Sequence, residues 1–203
     1  MEEYGGSAAL KALGPLAEKS YAYHPRLKRG PDAVPESDMP LLIRSLLDAN
    51  RSYVGGDPAI PENVAPSARL AIVTCMDVRI DPLAVLGLRL GQAHVLRNAG
   101  ARVTEDVLRS LVISQQALGT NAVILMPHEG CGVLGLDVRT LRPRAAASPT
   151  SVPALDFHAM QDLEAALAED LRSLRESPWI GTDVQIHGLV LDVARGAVRY
   201  PGL

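Results

Sequence analysis

The chain has 203 residues, of which 47% are apolar and 21% are charged, and its formal net charge is −3 at pH 7. This length and composition predict a globular protein with one sizeable core. The slightly acidic charge, without a long run of lysine or arginine, argues against nucleic acid as a partner. No apolar stretch approaches the roughly 20 residues of a membrane-spanning helix. The acidic start lacks the layout of a signal peptide, so a cytoplasmic protein is expected.

The first part of the chain has the least regular pattern. Residues 24–40 are rich in proline and charge, so we predict an N-terminal arm over residues 1–40. This arm is either a disordered tail or a segment that packs on a partner subunit. Residues 41–53 carry apolar side chains on one helical face and predict a helix. We therefore expect an arm over residues 1–40 and a single α/β domain over residues 41–203.

Three short apolar runs predict buried strands. They cover residues 69–74, 93–97 and 121–126, and a nearly continuous apolar sequence is typical of strands buried on both faces of a parallel sheet. Between the second and third runs, Thr104 caps a predicted helix that reaches Leu118. This alternation of strand and helix indicates an α/β fold with a mainly parallel sheet flanked by helices.

The C-terminal part continues the same alternation. Apolar residues at helical spacing predict a long helix over residues 157–175, and a strand follows over residues 184–193. Gly196 marks a turn into a final short strand that ends near Tyr200. Residues 141–153 are rich in arginine, alanine, proline and serine. We predict a mobile loop there, either a cover for a site or a plain connector.

Both cysteines of the chain lie at the ends of predicted strands. Cys75 follows the first strand, and Cys131 follows the third, three residues after His128. Ligand crevices of parallel sheets lie beyond the carboxyl ends of the strands, so these side chains are expected to meet there. Two thiolates and one imidazole match the three protein ligands of a catalytic zinc with an open fourth position. A disulfide is the alternative, but the nearby histidine favours a metal in a reducing cytoplasm.

Three motifs together resemble those of a β-class carbonic anhydrase. They are Cys-x-Asp-x-Arg at residues 75–79, Arg-Asn-Ala-Gly at residues 97–100 and His-x-x-Cys-Gly at residues 128–132. The likeness extends over residues 41–198. The resemblance implies one Zn²⁺ per chain held by Cys75, His128 and Cys131, and a carboxylate–guanidinium dyad of Asp77 and Arg79. It also implies a homodimer or higher homo-oligomer, with an N-terminal helical arm.

The resemblance further implies reversible hydration of CO2 to bicarbonate by attack of a zinc-bound hydroxide. Asp77 would accept a hydrogen bond from this hydroxide and orient it, while Arg79 would hold Asp77 ionised and away from the metal. If Arg79 were displaced, Asp77 could become a fourth ligand and close the site. The backbone N–H of Gly100 or Gly132 would polarise a substrate oxygen.

The residues between the zinc ligands depart from the family pattern. Glu129 and Gly130 stand where members often carry Thr-Asp, so hydrogen-bonding groups behind the ligands are lost and a longer acid is expected beside the metal. Relatives of the same fold hydrolyse carbonyl sulfide or carbon disulfide with the same ligands. A hydrolase of these or another small heterocumulene is therefore one alternative. A zinc-bearing homologue with little catalysis is the other.

Overall fold

The structure is a computed structural model that describes residues 39–141 and 155–203. Most of the predicted arm and most of the predicted mobile loop lie outside the described residues. The chain divides into two compact units, and the boundary lies between Val64 and Ala65. The predicted division at residue 40 stays a prediction. Within the described ranges, no helix combines the length and the apolar character needed to cross a membrane.

The first unit contains helix α1, Leu41–Gly55, where the sequence predicts a helix over residues 41–53. Its last turn ends at Gly56, whose N–H donates to the carbonyls of Ser52 and Tyr53. None of the residues of α1 is buried within the described part of the chain. Its apolar side chains, Leu42 among them, are exposed there.

A parallel sheet forms the centre of the second unit. Its strands are β1 (Leu70–Cys75), β2 (Ala93–Asn98), β3 (Ala122–Met126) and β4 (Gln185–Gly188). Their order in the sheet is β2-β1-β3-β4, and every neighbouring pair runs parallel. β1 and β3 occupy the two central positions, which explains their nearly continuous apolar sequence. The predicted α/β fold with a mainly parallel sheet is confirmed.

Among the described residues of this unit there are three α-helices. They are α2 (Pro82–Val85), α3 (Glu105–Gln116) and α4 (Leu163–Glu176). Thr104 begins α3 as predicted, because its side chain accepts a hydrogen bond from the Val107 N–H. One buried cluster joins Leu111 of α3 and Leu171 of α4 with Val73 of β1 and Leu125 of β3. Burial of these side chains packs the two helices on the sheet.

The prediction that a helix begins at residue 157 is wrong. Helix α4 begins six residues later, after Asp162, whose side chain accepts a hydrogen bond from the Ala165 N–H at 2.7 Å. The preceding segment is held by contacts with distant residues. The Met160 carbonyl accepts from the Gly135 N–H at 2.8 Å, and the His158 carbonyl accepts from the side chain of Arg102 at 3.0 Å. These tertiary contacts override the helical spacing of the apolar side chains.

The predicted strand over residues 184–193 is two strands. β4 ends at Gly188, and β5 (Val190–Asp192) pairs in antiparallel fashion with β6 (Ala197–Arg199). The neighbouring strand β3 ends before Pro127, which has no N–H with which to continue the ladder. The predicted turn at Gly196 leads into β6, where this glycine adopts φ +68°.

Candidate metal centre

Three ligand-type side chains meet at the carboxyl end of the sheet. Cys75 is the last residue of β1, and His128 and Cys131 lie in the loop after β3. Thr74 pairs with Met126 in these adjacent parallel strands, so both segments leave the sheet at the same edge. One ligand atom from each of the three residues lies within 4.8 Å of the other two, and all three residues are buried. Together they could hold a metal ion.

The distances in this group fit zinc. Cys75 Sγ lies 3.8 Å from Cys131 Sγ. Two thiolates on a tetrahedral zinc, with bonds of about 2.3 Å, would lie about 3.8 Å apart. His128 Nε2 is buried and has no hydrogen-bond partner among the described residues. A buried nitrogen without a partner is costly unless it serves as a ligand. The three residues therefore fit a zinc ion with three protein ligands.

The surroundings of the ligands suit metal binding as well. His128 Nδ1 lies 2.9 Å from the Glu129 carbonyl oxygen. A proton on Nδ1 would be donated to that carbonyl, which leaves the lone pair of Nε2 for a metal. Burial raises the pKa of the Cys131 thiol, because a lone thiolate is poorly solvated there. A metal cation supplies the positive charge that stabilises such a thiolate.

Asp77 and Arg79 form a bidentate ion pair beside these ligands. Arg79 Nε donates to Asp77 Oδ1 at 2.9 Å, and Nη2 donates to Oδ2 at 2.6 Å. The Arg79 backbone N–H also donates to Oδ1, at 3.0 Å. Hydrogen bonding from the Arg79 side chain holds the pKa of Asp77 well below its usual range, so the carboxylate is ionised at neutral pH. Asp77 Oδ2 lies 3.7 Å from His128 Nε2, which brings the predicted dyad to the predicted ligands.

Arg97 attaches the loop after β1 to strand β2, a contact that the sequence does not predict. Its Nε donates to the Cys75 carbonyl at 3.0 Å, and its Nη2 donates to the Asp77 carbonyl at 2.6 Å. The Met76 N–H donates to the Asn98 carbonyl at 2.9 Å. In the sequence, the Arg-Asn-Ala-Gly motif contributes to the family resemblance and does not indicate a contact for Arg97. The signal for Arg97 is an arginine near the end of a strand that neighbours the Cys-x-Asp-x-Arg strand.

Gly100 lies in a short 3₁₀ turn directly after β2, at φ +82°. A Cβ at this position would lie 2.9 Å from Val133 Cγ2 and 3.3 Å from Met160 Cε, so a larger residue would require these neighbours to move. Gly132 directly follows Cys131, and a Cβ there would have no such neighbour within 4 Å. Polarisation of a substrate by the N–H of Gly100 or Gly132 stays a prediction.

The carboxylate of Glu129 faces strand β6. Its Oε1 lies 3.4 Å from both Nε and Nη2 of Arg199, and Arg199 Nη1 lies 2.8 Å from Glu164 Oε1 at the start of α4. A cavity of about 380 Å³ lies beside these side chains, and Gly130 and Leu163 also line it. Glu129 does not belong to the group of described residues whose ligand atoms converge. Glu129 therefore forms an ion pair with Arg199 at the cavity and does not join the ligand group.

Comparison with known proteins agrees with this site. The family profile described as carbonic anhydrase matches residues 70–148. Beta-carbonic anhydrase 1 of Mycobacterium tuberculosis is 39% identical over 154 residues, which are 74% of this chain and 91% of that protein. The chain belongs to the β-carbonic anhydrase family. The fold class and the family implied by the three motifs are thereby confirmed.

Two further comparisons describe the range of this family. The crystal structure of a carbonic anhydrase from Streptococcus mutans matches with a TM-score of 0.68 at 38% identity, and the match covers 80% of this chain and 98% of that one. The carbon disulfide hydrolase of Acidianus sp. (strain A1-3) is 32% identical over 167 residues, which are 70% of this chain and 79% of that protein. This chain is thus similar both to proteins named as carbonic anhydrases and to a protein named as a carbon disulfide hydrolase.

Proposed function

We propose that this protein is a zinc-dependent enzyme that interconverts CO2 and bicarbonate. The observation that supports this reaction best is the Asp77 carboxylate, held by Arg79 with Oδ2 3.7 Å from His128 Nε2. A zinc site that serves structure alone normally takes a fourth protein ligand and needs no such acceptor beside it. The 39% identity with beta-carbonic anhydrase 1 of Mycobacterium tuberculosis also supports the proposal.

The three convergent residues would bind the metal, and the dyad would orient the attacking water. Cys75, His128 and Cys131 would hold the zinc ion and leave its fourth position to water. Zinc, when bound, lowers the pKa of a coordinated water towards about 7. Asp77 Oδ2 would accept a hydrogen bond from the attacking water and orient a lone pair of its oxygen at the carbon of CO2. One C–O bond forms, one proton passes to solvent, and CO2 and H2O become bicarbonate and H⁺.

Arg79 would keep Asp77 in this role. Both carboxylate oxygens of Asp77 accept hydrogen bonds from the Arg79 side chain, so the carboxylate would not turn to bind the metal itself. A bidentate pair of this kind fixes orientation as well as charge. The N–H of Gly100 or Gly132 would polarise a substrate oxygen in the same reaction.

Hydrolysis of carbon disulfide or carbonyl sulfide is the second candidate. The 32% identity with the carbon disulfide hydrolase of Acidianus sp. supports it. CS2 and COS are linear triatomic molecules with the same number of valence electrons as CO2, so the same nucleophile can attack them. A zinc-bearing homologue with little catalysis is the remaining alternative.

We also propose a homodimer or a higher homo-oligomer in the cytoplasm. The exposed leucines of α1, Leu42 and Leu46, support an association of copies. Cys75 and Cys131 are free thiols in the structure. Zinc binding by these two residues requires that they stay reduced, as they do in a cytoplasm.

The test is stopped-flow CO2 hydration on protein of measured zinc content, with Asp77→Asn as the decisive variant. We expect Asp77→Asn to retain zinc and to lose turnover by about 100-fold, the scale of a positioned acid–base group. Asp137→Asn is the matched control, because Asp137 forms the same kind of pair with Arg139 on an exposed turn. It should keep both zinc and turnover.

Two outcomes would contradict the proposal, each in a different part. Equal CO2 turnover in wild type and Asp77→Asn would remove the dyad from the reaction and leave CO2 as the substrate. One zinc per chain with negligible hydration would reject CO2 as the substrate. Turnover of CS2 or COS by that same protein would then favour the hydrolase, and turnover of none of the three would favour the non-catalytic homologue.

A further inference from the structure

The tripeptide Asp-Val-Arg occurs twice in the chain, at residues 77–79 and 137–139. In both copies the arginine backbone N–H donates to the aspartate Oδ1 at 3.0 Å. In both, Nε donates to Oδ1 and Nη2 donates to Oδ2, at 2.9 and 2.6 Å in the first copy and at 2.8 and 2.9 Å in the second. Aspartate side chains commonly accept from the backbone two residues on in such turns. The paired arrangement is therefore a local property of this short sequence.

The two copies also lie in turns with the same backbone hydrogen bond. The N–H of the residue three positions after the aspartate donates to the aspartate carbonyl, from Ile80 to Asp77 at 3.1 Å and from Thr140 to Asp137 at 3.0 Å. Yet the surroundings differ. The Asp77 side chain is 14% exposed and lies beside His128, whereas the Asp137 side chain is 46% exposed. Asp137 does not belong to the convergent ligand group of the described residues. The local turn alone does not place a carboxylate at a metal centre.

The two copies differ in one further donor to the aspartate carbonyl. In the second copy, this donor is the Thr140 hydroxyl of the same turn, at 2.7 Å. In the first copy, it is Nη2 of Arg97, which comes from the neighbouring strand β2, at 2.6 Å. The same guanidinium donates through Nε to the Cys75 carbonyl at 3.0 Å. One rigid, planar group thus spans the backbone from a predicted metal ligand to the predicted acceptor.

We propose that Arg97 is a positioning residue, which sets the Asp77 carboxylate at a defined place relative to the metal ligands. Arg79 sets only the orientation of Asp77 within its own turn, and Arg97 sets where that turn lies. The inference rests on the proposed function in one respect, since it assigns Asp77 the role of orienting the attacking water. Loss of Arg97 should leave Cys75, His128 and Cys131 able to bind zinc and should displace Asp77, and small displacements of a reacting group cost up to about 100-fold in rate.

The test compares Arg97→Ala and Arg97→Lys with the matched control Arg175→Ala. Arg175 also donates to two backbone carbonyls, those of Ile186 and Leu203, both at 3.2 Å. For each protein we would measure zinc content, kcat and KM for CO2 hydration, and the visible absorption spectrum after replacement of zinc by Co²⁺. The d–d bands of Co²⁺ report the geometry at the metal independently of turnover.

We expect about one zinc per chain in all variants. Arg97→Ala should lower kcat by about 10-fold or more with KM changed less than about twofold, and should shift the Co²⁺ bands. Arg97→Lys should restore little, because a single ammonium group does not reproduce the planar fork that reaches both carbonyls. Arg175→Ala should match the wild type in kcat and in spectrum.

Three results would overturn the assignment. The first is a wild-type kcat and Co²⁺ spectrum in Arg97→Ala. The second is loss of zinc in parallel with kcat, which would make Arg97 a support for metal retention. The third is an equal effect in Arg175→Ala, which would make the loss a general consequence of instability. If Arg97→Ala fails to fold, Arg97→Lys decides by the same measurements. If the wild type hydrates no CO2, the proposed function fails, and the Co²⁺ spectra still decide the role of Arg97.

Discussion

Asp77 Oδ2 lies 3.7 Å from His128 Nε2, while the same oxygen accepts a hydrogen bond from Arg79 Nη2 at 2.6 Å. Asp77 follows strand β1 and His128 follows strand β3. Their proximity therefore depends on the parallel pairing of two strands that are distant in the chain. An ionised acceptor thus stands next to a buried imidazole nitrogen that has no hydrogen-bond partner among the described residues. This pair of facts connects the metal ligands with the dyad.

Substitution of Cys75 should abolish metal binding. We expect Cys75→Ser to contain less than about a tenth of the zinc of the wild type, because a catalytic site of three protein ligands loses most of its affinity with one of them. Inductively coupled plasma mass spectrometry of dialysed protein measures the zinc content. Met76→Ser is the control, since Met76 is the next residue and its side chain is exposed. Full zinc in Cys75→Ser would refute the ligand assignment.

Replacement of Glu129 should have little effect on turnover. The Glu129 carboxylate is half exposed and pairs with Arg199 at 3.4 Å, and exposed pairs contribute only about 0–1 kcal/mol. We expect Glu129→Thr to change kcat/KM for CO2 hydration by less than about twofold in the stopped-flow assay. Arg199→Gln, which removes this pair and also the pair with Glu164, should likewise change kcat/KM by less than about twofold. A tenfold rise in Glu129→Thr alone would show that the acid impairs the site.

Gly100 should be among the least replaceable glycines. An alanine there would combine the cost of φ +82°, about 1–2 kcal/mol, with a Cβ placed 2.9 Å from Val133 Cγ2, and such overpacking costs a further 1–3 kcal/mol or so. Gly119→Ala is the matched control, because Gly119 has φ +75° and no neighbour within 4 Å of its Cβ position.

Urea unfolding of the metal-free proteins measures both glycine variants. We expect the free energy of unfolding to fall by about 2–5 kcal/mol in Gly100→Ala and by about 1–2 kcal/mol in Gly119→Ala. Equal losses would mean that Val133 and Met160 move aside at little cost and that the backbone angle alone matters.

The buried pair of Arg102 with Asp170 should be important for stability. Arg102 Nε lies 2.7 Å from Asp170 Oδ2, and each side chain is only 8% exposed. We expect Arg102→Ala to lower the free energy of unfolding by about 3–5 kcal/mol, because it leaves a buried carboxylate without its partner. Arg109→Ala, which breaks an exposed pair with Asp106, should cost less than about 1 kcal/mol. Thermal and urea unfolding would contradict this expectation if the two variants lost similar amounts.

The residues of the candidate site and the class of the fold could be predicted from short stretches of sequence. Cys75, Asp77 and Arg79 form one such stretch, and His128 and Cys131 form another. The geometry within each stretch depends on neighbouring residues alone, because the second Asp-Val-Arg turn at residues 137–139 forms the same aspartate–arginine hydrogen bonds away from the site. Apolar runs identified β1 and β3 in the same way, because burial on both faces of a sheet leaves a direct mark on composition. The apolar run over residues 93–97 also located β2, but the prediction that this strand is buried is wrong, because β2 lies at the edge of the sheet and none of its residues is buried.

Only the tertiary structure decided which distant groups meet. Contacts between distant segments set the start of α4 and divide the last predicted strand. The pairing of Glu129 with Arg199 and the two hydrogen bonds of Arg97 also join segments that are far apart in the chain. Helical spacing before residue 163 resembled a longer helix, yet the contacts of the His158 and Met160 carbonyls hold that segment in another conformation. Local patterns report burial and turn preference, whereas such contacts depend on how elements pack, and one sequence contains no direct record of that packing.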